Sequence, residues 1–452
     1  MRGVANEYPM TAEMALCLGR AAAVFFNQKG RPTRIIIGKD TRVSGLMLES
    51  AMVSGICSAG ADACTAGILP TPAIAHLTAS VVANAGIMIS ASHNPYYDNG
   101  FKIFNQDGFK LSDDQEVEIE KLILNDAPAA RFKASHKIGT CCRLEQAQSD
   151  YIAFLKSTVP PEVSFTGLKI VLDCANGATY RVAPQLFHEL GADVETLADA
   201  PNGTNINDAC GSQHPDNLIE AVRAGQADLG LAFDGDGDRL IAVDETGSVL
   251  TGDHILAISA KVMKQKGTLK NNLVVSTVMS NMGFGAALKN MGIRHEIAQV
   301  GDRYVIQRMQ DAGAVLGGED SGHMIFADHH TTGDGILTAL KLIEAVKTEH
   351  QSLSDLSRIM TVYPQILMNV DVKAKPDIED VPEIVAAIGA VEAELGESGR
   401  VLVRYSGTQP LCRVMVEGPD EAATRRYCAQ LSDIVKNSIG VGAKRNGESE
   451  KR

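Results

Sequence analysis

The chain predicts an α/β fold of several domains. Short apolar, β-favouring runs alternate with helical patterns along most of the 452 residues, which indicates mostly parallel sheets with helices between the strands. Several of these runs stop abruptly at clusters of glycine, serine, asparagine or aspartate, so polar chemistry gathers at the ends of buried strands. Length alone suggests about three domains.

The elements follow in order. Thr11 to Phe26 has a helical pattern with Thr11 as a plausible N-cap. Arg34 to Ile37 is a strand ending in Gly38-Lys39-Asp40-Thr41-Arg42, and Gly45 to Ala61 is helical. Ala73 to Ala85 leads into the apolar run Ile87-Met88-Ile89, which breaks at Ser90-Ala91-Ser92-His93-Asn94-Pro95. A returning strand, Phe101 to Phe104, comes after Asp98-Asn99-Gly100. Ser112-Asp113-Asp114-Gln115 is a capping box that opens a helix to about Asn125. Lys137 to Ala147 reads as irregular, and a helix from about Asp150 to Val159 leads onward.

Leu168 to Leu172 is a strand, Tyr180 to Leu190 a helix, and Asp228 to Phe233 a strand that delivers Asp234-Gly235-Asp236-Gly237-Asp238-Arg239. Leu240 to Val243 returns from that loop. Next come a helix from His254 to Lys264, a strand from Leu273 to Thr277, and a helix from Gly283 to Met291. Gly301-Asp302-Arg303 opens another helix, and the loop Gly317 to His323 precedes a long helix from Asp334 to Thr348. From about Pro364 the strands Ile366 to Val372, Val401 to Arg404 and Arg413 to Val416 mix with two helices, and a polar tail closes the chain.

Composition excludes several classes. A net charge of -13 disfavours a general nucleic-acid or anionic-membrane binder, so any phosphate-binding field must be local. No apolar stretch reaches the ~18 residues that span a bilayer, and the start, MRGVANEYPM, lacks the apolar core of a signal peptide. Nine scattered cysteines without metal-ligand spacing read as reduced thiols in a cytoplasm.

Some residues read as chemistry. Ser92 is a hydroxyl nucleophile at a strand end, with His93 beside it and Lys102 a short loop away. Asp234, Asp236 and Asp238 alternate with glycines that permit a tight turn, so their carboxylates can converge on one hard cation. A calcium loop of the EF-hand kind is the rival, since Glu245 stands twelfth from Asp234. Arg239 occupies the sixth place where that loop needs glycine, and the flanks read as strands. In Arg404-Tyr405-Ser406-Gly407-Thr408-Gln409-Pro410, a glycine turn with hydroxyls and a guanidinium suits an anion.

These stretches, with Gly317-Gly318-Glu319-Asp320-Ser321-Gly322-His323, resemble in order and spacing the four loops of the α-D-phosphohexomutase superfamily over nearly the whole chain. The resemblance implies four domains around a central cleft: three with mixed, mostly parallel sheets flanked by helices, and a smaller α+β fourth. On this chain they fall at 1–148 (phosphoserine loop), 149–250 (metal-binding loop), 251–363 (sugar-binding loop) and 364–438 (phosphate binding), with 439–452 a disordered tail. It implies that Ser92 carries the phosphoryl group, and that Mg²⁺ binds Asp234, Asp236, Asp238 and a phosphate oxygen on Ser92. Lys102 would serve as general base or acid if its pKa is lowered, His93 would orient the serine, and His323 would shuttle a proton. Arg239, Gly301, Arg303, Glu319, Ser321, Arg404, Ser406, Gly407, Thr408 and Arg413 would bind substrate.

The segment Asn205 to Ser212 with His214-Pro215 looks more like the phosphoglucosamine mutases than the phosphomannomutases or phosphoglucomutases. The expected reaction is therefore glucosamine 6-phosphate to glucosamine 1-phosphate, a step toward UDP-N-acetylglucosamine and the bacterial cell wall. Its primer would be glucosamine 1,6-bisphosphate or glucose 1,6-bisphosphate, and its partners a sugar phosphate and, compatibly, a second copy in a homodimer. The family's opening strand and T-D-G-I-R-G-like turn are reduced here to Arg2-Gly3. Either the start is misassigned or the first strand is missing. A loosely held Arg2 is expected, and a non-catalytic sugar-phosphate binder is the alternative from another class.

Overall fold

The computed structural model describes residues 1–27, 33–124, 138–406 and 410–441. They form two compact units, one of residues 1–279 and 288–359, the other of residues 280–287 and the chain from Met360 on.

The larger unit contains three sheets built on one plan. The first sheet comprises β1 (Arg2–Val4), β2 (Arg34–Lys39), β3 (Asp62–Ile68), β4 (Ala85–Ile89), β5 (Asp98–Asn105) and β6 (Cys141–Arg143), in the order β1-β5-β4-β2-β3-β6. Strands β4, β2, β3 and β6 run parallel, while β5 pairs antiparallel with β4 and β1 antiparallel with β5. The second sheet comprises β7 (Lys169–Asp173), β8 (Asp193–Leu197), β9 (Leu229–Phe233), β10 (Leu240–Asp244) and β11 (Val249–Leu250), in the order β11-β10-β9-β7-β8. The third comprises β12 (Leu273–Thr277), β13 (Arg294–Ala298), β14 (Leu316–Gly318) and β15 (Met324–Phe326), in the order β13-β12-β14-β15.

In each sheet the last parallel strand turns through a loop into an antiparallel return: β4 to β5, β9 to β10, and β14 to β15. Those three loops contain Ser92, the aspartate run, and Glu319 to His323. Carboxyl ends of parallel strands are where open α/β sheets place ligands, and here one rule places three loops. The strands that deliver them are continuous buried runs, as expected of sheets covered on both faces: every residue of β4, β9 and β14 is buried.

Helices cover these sheets. In the first domain they are α1 (Ala12–Phe25), α2 (Gly45–Ser58), α3 (Thr71–Ser80) and α4 (Asp113–Leu124). Thr11 caps α1 by accepting from Met14 N at 3.3 Å. Both arms of the capping box before α4 form: Ser112 N donates to Gln115 Oε1 at 3.1 Å and Gln115 N to Ser112 Oγ at 3.4 Å. The expected last residue of that helix, Asn125, lies outside the described residues. In order there follow α5 (Ala147–Ser157), α6 (Val182–Glu189), α7 (Asp216–Gly225), α8 (Gly252–Gln265), α9 (Met282–Asn290), α10 (Asp302–Ala312), α11 (Gly335–Glu349) and α12 (Leu353–Ser357).

Two expectations are corrected. The stretch around residues 137–147 contains strand β6, formed because the outer edge of β3 offers a parallel partner, Ala63 opposite Cys141. The start is also not loose: Arg2, Gly3 and Val4 pair with Gly100, Asn99 and Asp98. Backbone pairing on β5 fixes the position of Arg2, although its side chain remains exposed.

The smaller unit is an antiparallel sheet, β16 (Gln365–Asp371), β17 (Arg400–Tyr405) and β18 (Leu411–Glu417), in the order β16-β18-β17, with α13 (Pro382–Leu395) and α14 (Glu421–Ile439). Its core packs Val414, Val416, Ile384, Leu431 and Val435, all fully buried. Helix α14 continues to Ile439, the first residue of the expected tail; residues 442–452 lie outside the described residues.

Candidate active site

Ser92 stands at the end of β4 with φ at +55°, a left-handed conformation that a non-glycine residue holds only when its surroundings impose it. The imposing group is Arg42, which is 2% exposed. Its guanidinium donates to Ser92 O at 2.9 Å, Asn94 O at 2.8 Å, Asp98 O at 3.1 Å, Pro95 O, and Asp40 Oδ2 at 2.8 Å. Ser90 Oγ also donates to Asp40 Oδ2, at 2.6 Å, and accepts from Ser92 N at 2.9 Å. From the second domain, Asn207 Nδ2 donates to the carbonyls of Ser92 at 2.9 Å and Asn94 at 3.0 Å. Sequence reasoning missed this cradle. Its one signal was a charged Asp40-Thr41-Arg42 directly after a buried strand.

The loop after β9 meets Ser92 directly. Ser92 Oγ donates to Asp234 Oδ2 at 2.5 Å. Gly235 permits the approach, since a Cβ there would stand 2.6 Å from Ser92 O; Gly237 turns the loop with φ at +71°. Carboxylate oxygens of Asp234, Asp236 and Asp238 all lie within 4.8 Å of one another, and all three residues are buried. Asp236 Oδ1 and Asp238 Oδ1 are buried with no hydrogen-bond partner. Buried carboxylate oxygens left without donors suit a hard divalent cation such as Mg²⁺. Burial, then the charges of Asp238 and Asp236, push the Asp234 carboxyl well above its ordinary range, a strain that a cation would relieve.

Lys102, opposite Met88 in the β4–β5 register, points into the same cluster and donates to Asp236 Oδ2 at 2.5 Å and Asp238 Oδ2 at 2.9 Å. Burial alone would lower its pKa, but the two carboxylates outweigh it and the ammonium is held above its ordinary value. This corrects the condition set for Lys102 as a base: in this arrangement it is a fixed cation. His93 Nδ1 lies 3.5 Å from Ser92 Oγ. Burial, then Arg239 and Arg2, lower its pKa to about 4, so the ring is neutral near pH 7.

The third loop caps the cluster. Leu240 N donates to Gly322 O at 3.0 Å, tying the Glu319 hairpin to the exit of the aspartate loop. His323 is 3% exposed; its Nδ1 lies 3.7 Å from Asp238 Oδ1 and its Nε2 accepts from Gly333 N at 3.2 Å. With Nε2 occupied as an acceptor, the ring's proton sits on Nδ1, facing Asp238. Glu319 Oε1 accepts from Gly301 N at 2.9 Å, and Ser321 Oγ is buried without a partner. Arg239 N donates to Asp234 Oδ1 at 3.2 Å, and its guanidinium lies 3.9 Å from Asp238. Arg303 is drawn elsewhere, into ion pairs with Asp113 and Glu116 at the start of α4.

In the smaller unit Arg404 and Arg413 are direct cross-strand partners on β17 and β18. Like charges so placed repel, which suits a site that receives an anion. Ser406 N donates to Leu411 O at 2.8 Å, and Lys375 Nζ donates to Ser406 O at 2.6 Å, adding a third cation that the sequence did not single out. Gly407 and Thr408 lie outside the described residues.

Comparison with known proteins covers all four expected domains. Models of the phosphoglucomutase/phosphomannomutase family match here: alpha/beta/alpha domain I at residues 1–130, domain II at 149–247, domain III at 251–363 and the C-terminal domain at 367–434. The chain is 59% identical over 440 residues to the phosphoglucosamine mutase of Syntrophus aciditrophicus (97% of this chain, 98% of the relative). It is 52% identical to that of Geobacter sp. strain M21 (98% of each). Among solved structures, a phosphoglucomutase/phosphomannomutase family protein from Burkholderia thailandensis superposes with a TM-score of 0.79 at 24% identity (97% of this chain, 96% of that one). Aspergillus fumigatus N-acetylphosphoglucosamine mutase, in complex with GlcNAc-6P and magnesium, does so at 0.64 and 16% (94% and 99%). At these identities the two structures speak to the fold.

Proposed function

Since the chain belongs to the phosphoglucomutase/phosphomannomutase family, we propose that it is an isomerase interconverting glucosamine 6-phosphate and glucosamine 1-phosphate. The observation that carries the chemistry is the 2.5 Å bond from Ser92 Oγ to Asp234, inside a cluster of three buried aspartates, two with unpartnered oxygens. The relatives at 50–59% identity, named phosphoglucosamine mutases, support the amino sugar.

In this reading Ser92 carries a phosphoryl group and gives it to the free hydroxyl of a sugar monophosphate. The bisphosphorylated sugar turns over in the site and returns its other phosphoryl group to Ser92. Asp234 takes up the serine proton when Ser92 Oγ attacks, and His93 orients that hydroxyl. Mg²⁺, held by Asp234, Asp236 and Asp238, would withdraw charge from the transferring group. Lys102 and Arg239 offset the carboxylates, so that a dianionic phosphoserine is tolerated among them. Glu319 and Ser321 bind ring hydroxyls, and His323 passes a proton to or from the sugar oxygen. Arg404, Ser406 and Arg413, with Gly407 and Thr408, grip the phosphate that is not reacting. Catalysis is then mostly positioning and charge neutralisation. A trace of glucosamine 1,6-bisphosphate or glucose 1,6-bisphosphate primes Ser92.

The pairing of Arg2 with Gly100 on β5 supports the enzyme over the non-catalytic binder. The test is turnover of glucosamine, glucose and mannose 6-phosphates with Mg²⁺ and a trace of bisphosphate. The highest kcat/KM is expected for glucosamine 6-phosphate. Preference for either hexose would overturn the substrate, and no turnover of any would overturn the reaction.

A further inference from the structure

We propose that Lys110 is a further substrate-contacting cation of this site: Asp302 holds its ammonium in place, and a phosphate oxygen of the sugar bisphosphate takes over from Asp302 during turnover. The proposal rests on the mutase reading and adds a residue to it.

Lys110 is placed by a turn that leaves little freedom. Asn105 Oδ1 accepts from Asp107 N and Phe109 N at 3.0 Å, Asn105 N donates to Phe109 O at 2.8 Å, and Lys110 bridges to Phe104. Thr331 Oγ1, from the third domain, donates to Gly108 O at 2.6 Å. The side chain is about four-fifths buried and ends in an ion pair with Asp302, the first residue of α10. That carboxylate belongs to the sugar-loop apparatus: its neighbour Gly301 donates to Glu319, and its Oδ2 lies 3.9 Å from His323 Nε2.

A simple latch between the first and third domains is the plainer explanation. Two observations weigh against it. Arg303, the next residue, already makes that connection through Asp113 and Glu116. Lys110 is also placed within the field of two further cations. Burial, then the charge of Lys102, lower its pKa to about 8, and Arg239 pushes the same way against Asp238 and Asp236. Lys102 is already met by Asp236 and Asp238, and Arg239 lies 3.9 Å from Asp238, whereas among the described residues Lys110 is ion-paired with Asp302 alone. The reaction supplies a further anion: a sugar with two phosphates, which must stay in the site while it turns over. One carboxylate on a three-donor ammonium leaves further N–H groups to receive it. Phosphate brings more charge than Asp302, so the exchange favours the ligand.

The experiment loads Ser92 of the full-length enzyme with ³²P and adds unlabelled glucosamine 6-phosphate. It then measures how much label escapes as free bisphosphate per turnover. The parent must pass through labelled bisphosphate; if it does not, the mutase reading fails and this proposal with it. Lys110→Met should release bisphosphate about tenfold more often, the usual loss for one charge-assisted hydrogen bond, and Lys110→Arg should recover most of the retention. Asp302→Asn breaks the same ion pair but keeps the cation, so it should retain bisphosphate as well as the parent or better. If Lys110→Met and Asp302→Asn lose retention equally, or if Lys110→Met retains like the parent, the contact is only a latch and the proposal is wrong, while the mutase reading stands.

Discussion

Replacing Arg42 should do more damage than its distance from any reacting atom suggests. Its five N–H groups meet five acceptors: one Asp40 oxygen and the carbonyls of Ser92, Asn94, Pro95 and Asp98. Arg42→Met leaves the Asp40 carboxylate, 1% exposed, without its cation. Removing one partner of a buried pair costs about 3–5 kcal/mol, and each orphaned carbonyl adds about 1 kcal/mol unless water replaces the donor. With water replacing most of the four lost carbonyl donors, a total near 5 kcal/mol remains, which is at the upper end for a single substitution. At about 2–4 °C per kcal/mol, the first thermal transition should fall by roughly 10–20 °C; the first is the one to read, since a chain of several domains need not melt in one step.

The catalytic effect is separate. Without the fork, Ser92 can leave its left-handed conformation, and a 1 Å displacement of a nucleophile costs about a hundredfold. Arg42→Lys retains the charge but only three donors at one point. It should regain part of the stability and little of kcat, assayed well below the variant's transition with saturating substrate and bisphosphate. Parent-like kcat in Arg42→Lys, or in Arg42→Met at a temperature where it is folded, would show that Arg42 supports the fold without setting the serine.

Three further outcomes are expected. His330 is fitted to its neutral form, since its Nδ1 accepts from Thr331 N at 2.9 Å and Thr332 N at 3.3 Å while Nε2 faces Pro72 O at 3.0 Å. Burial, then His76, lower its pKa to about 3, against about 6.5 unfolded. The unfolded chain therefore takes up the proton first, and the contribution is complete above about pH 6.5 and lost as pH falls toward 3. Urea midpoints from pH 8 to 4 should fall, and His330→Gln should flatten the slope by about one proton; an unchanged slope would refute the assignment. Asp236→Asn should raise the Mg²⁺ needed for half-activation by about tenfold or more, because one of three carboxylate charges is gone, and an unchanged requirement would place the metal elsewhere. Arg404→Ala should raise KM for the sugar phosphate more than Arg404→Lys, since lysine retains charge but not the fork; equal and unchanged KM in both would move the phosphate grip.

What the sequence disclosed follows from how local each feature is. The caps at Thr11 and Ser112, the strand breaking at Ser92 and the alternating aspartates are written in a few adjacent residues, and they fold as read. Strands β6, β8 and β13 were not legible. Their residues are largely exposed or half-buried, and a neighbouring edge makes them strands. Asn207 was read as a mark of substrate class; its contact with Ser92 O spans 115 positions, and nothing local announces it. Arg42 is the same case at a separation of 50 residues. Lys102 was read as a cation a short loop from Ser92, but the sign of its shift depends on two carboxylates from another sheet.

The central claim is that Ser92 carries the phosphoryl group through the reaction. Intact mass and peptide mapping should find one phosphoryl group on Ser92 after incubation with glucose 1,6-bisphosphate and Mg²⁺. On mixing with glucosamine 6-phosphate, that group should leave at a rate no slower than kcat. Ser92→Ala should take up none and show no turnover, with its thermal transition within a few degrees of the parent, since the loss of one hydroxyl removes only its contacts with Asp234 and His93. Turnover by Ser92→Ala, or a phosphoryl group on Ser92 that leaves more slowly than kcat, would contradict the account.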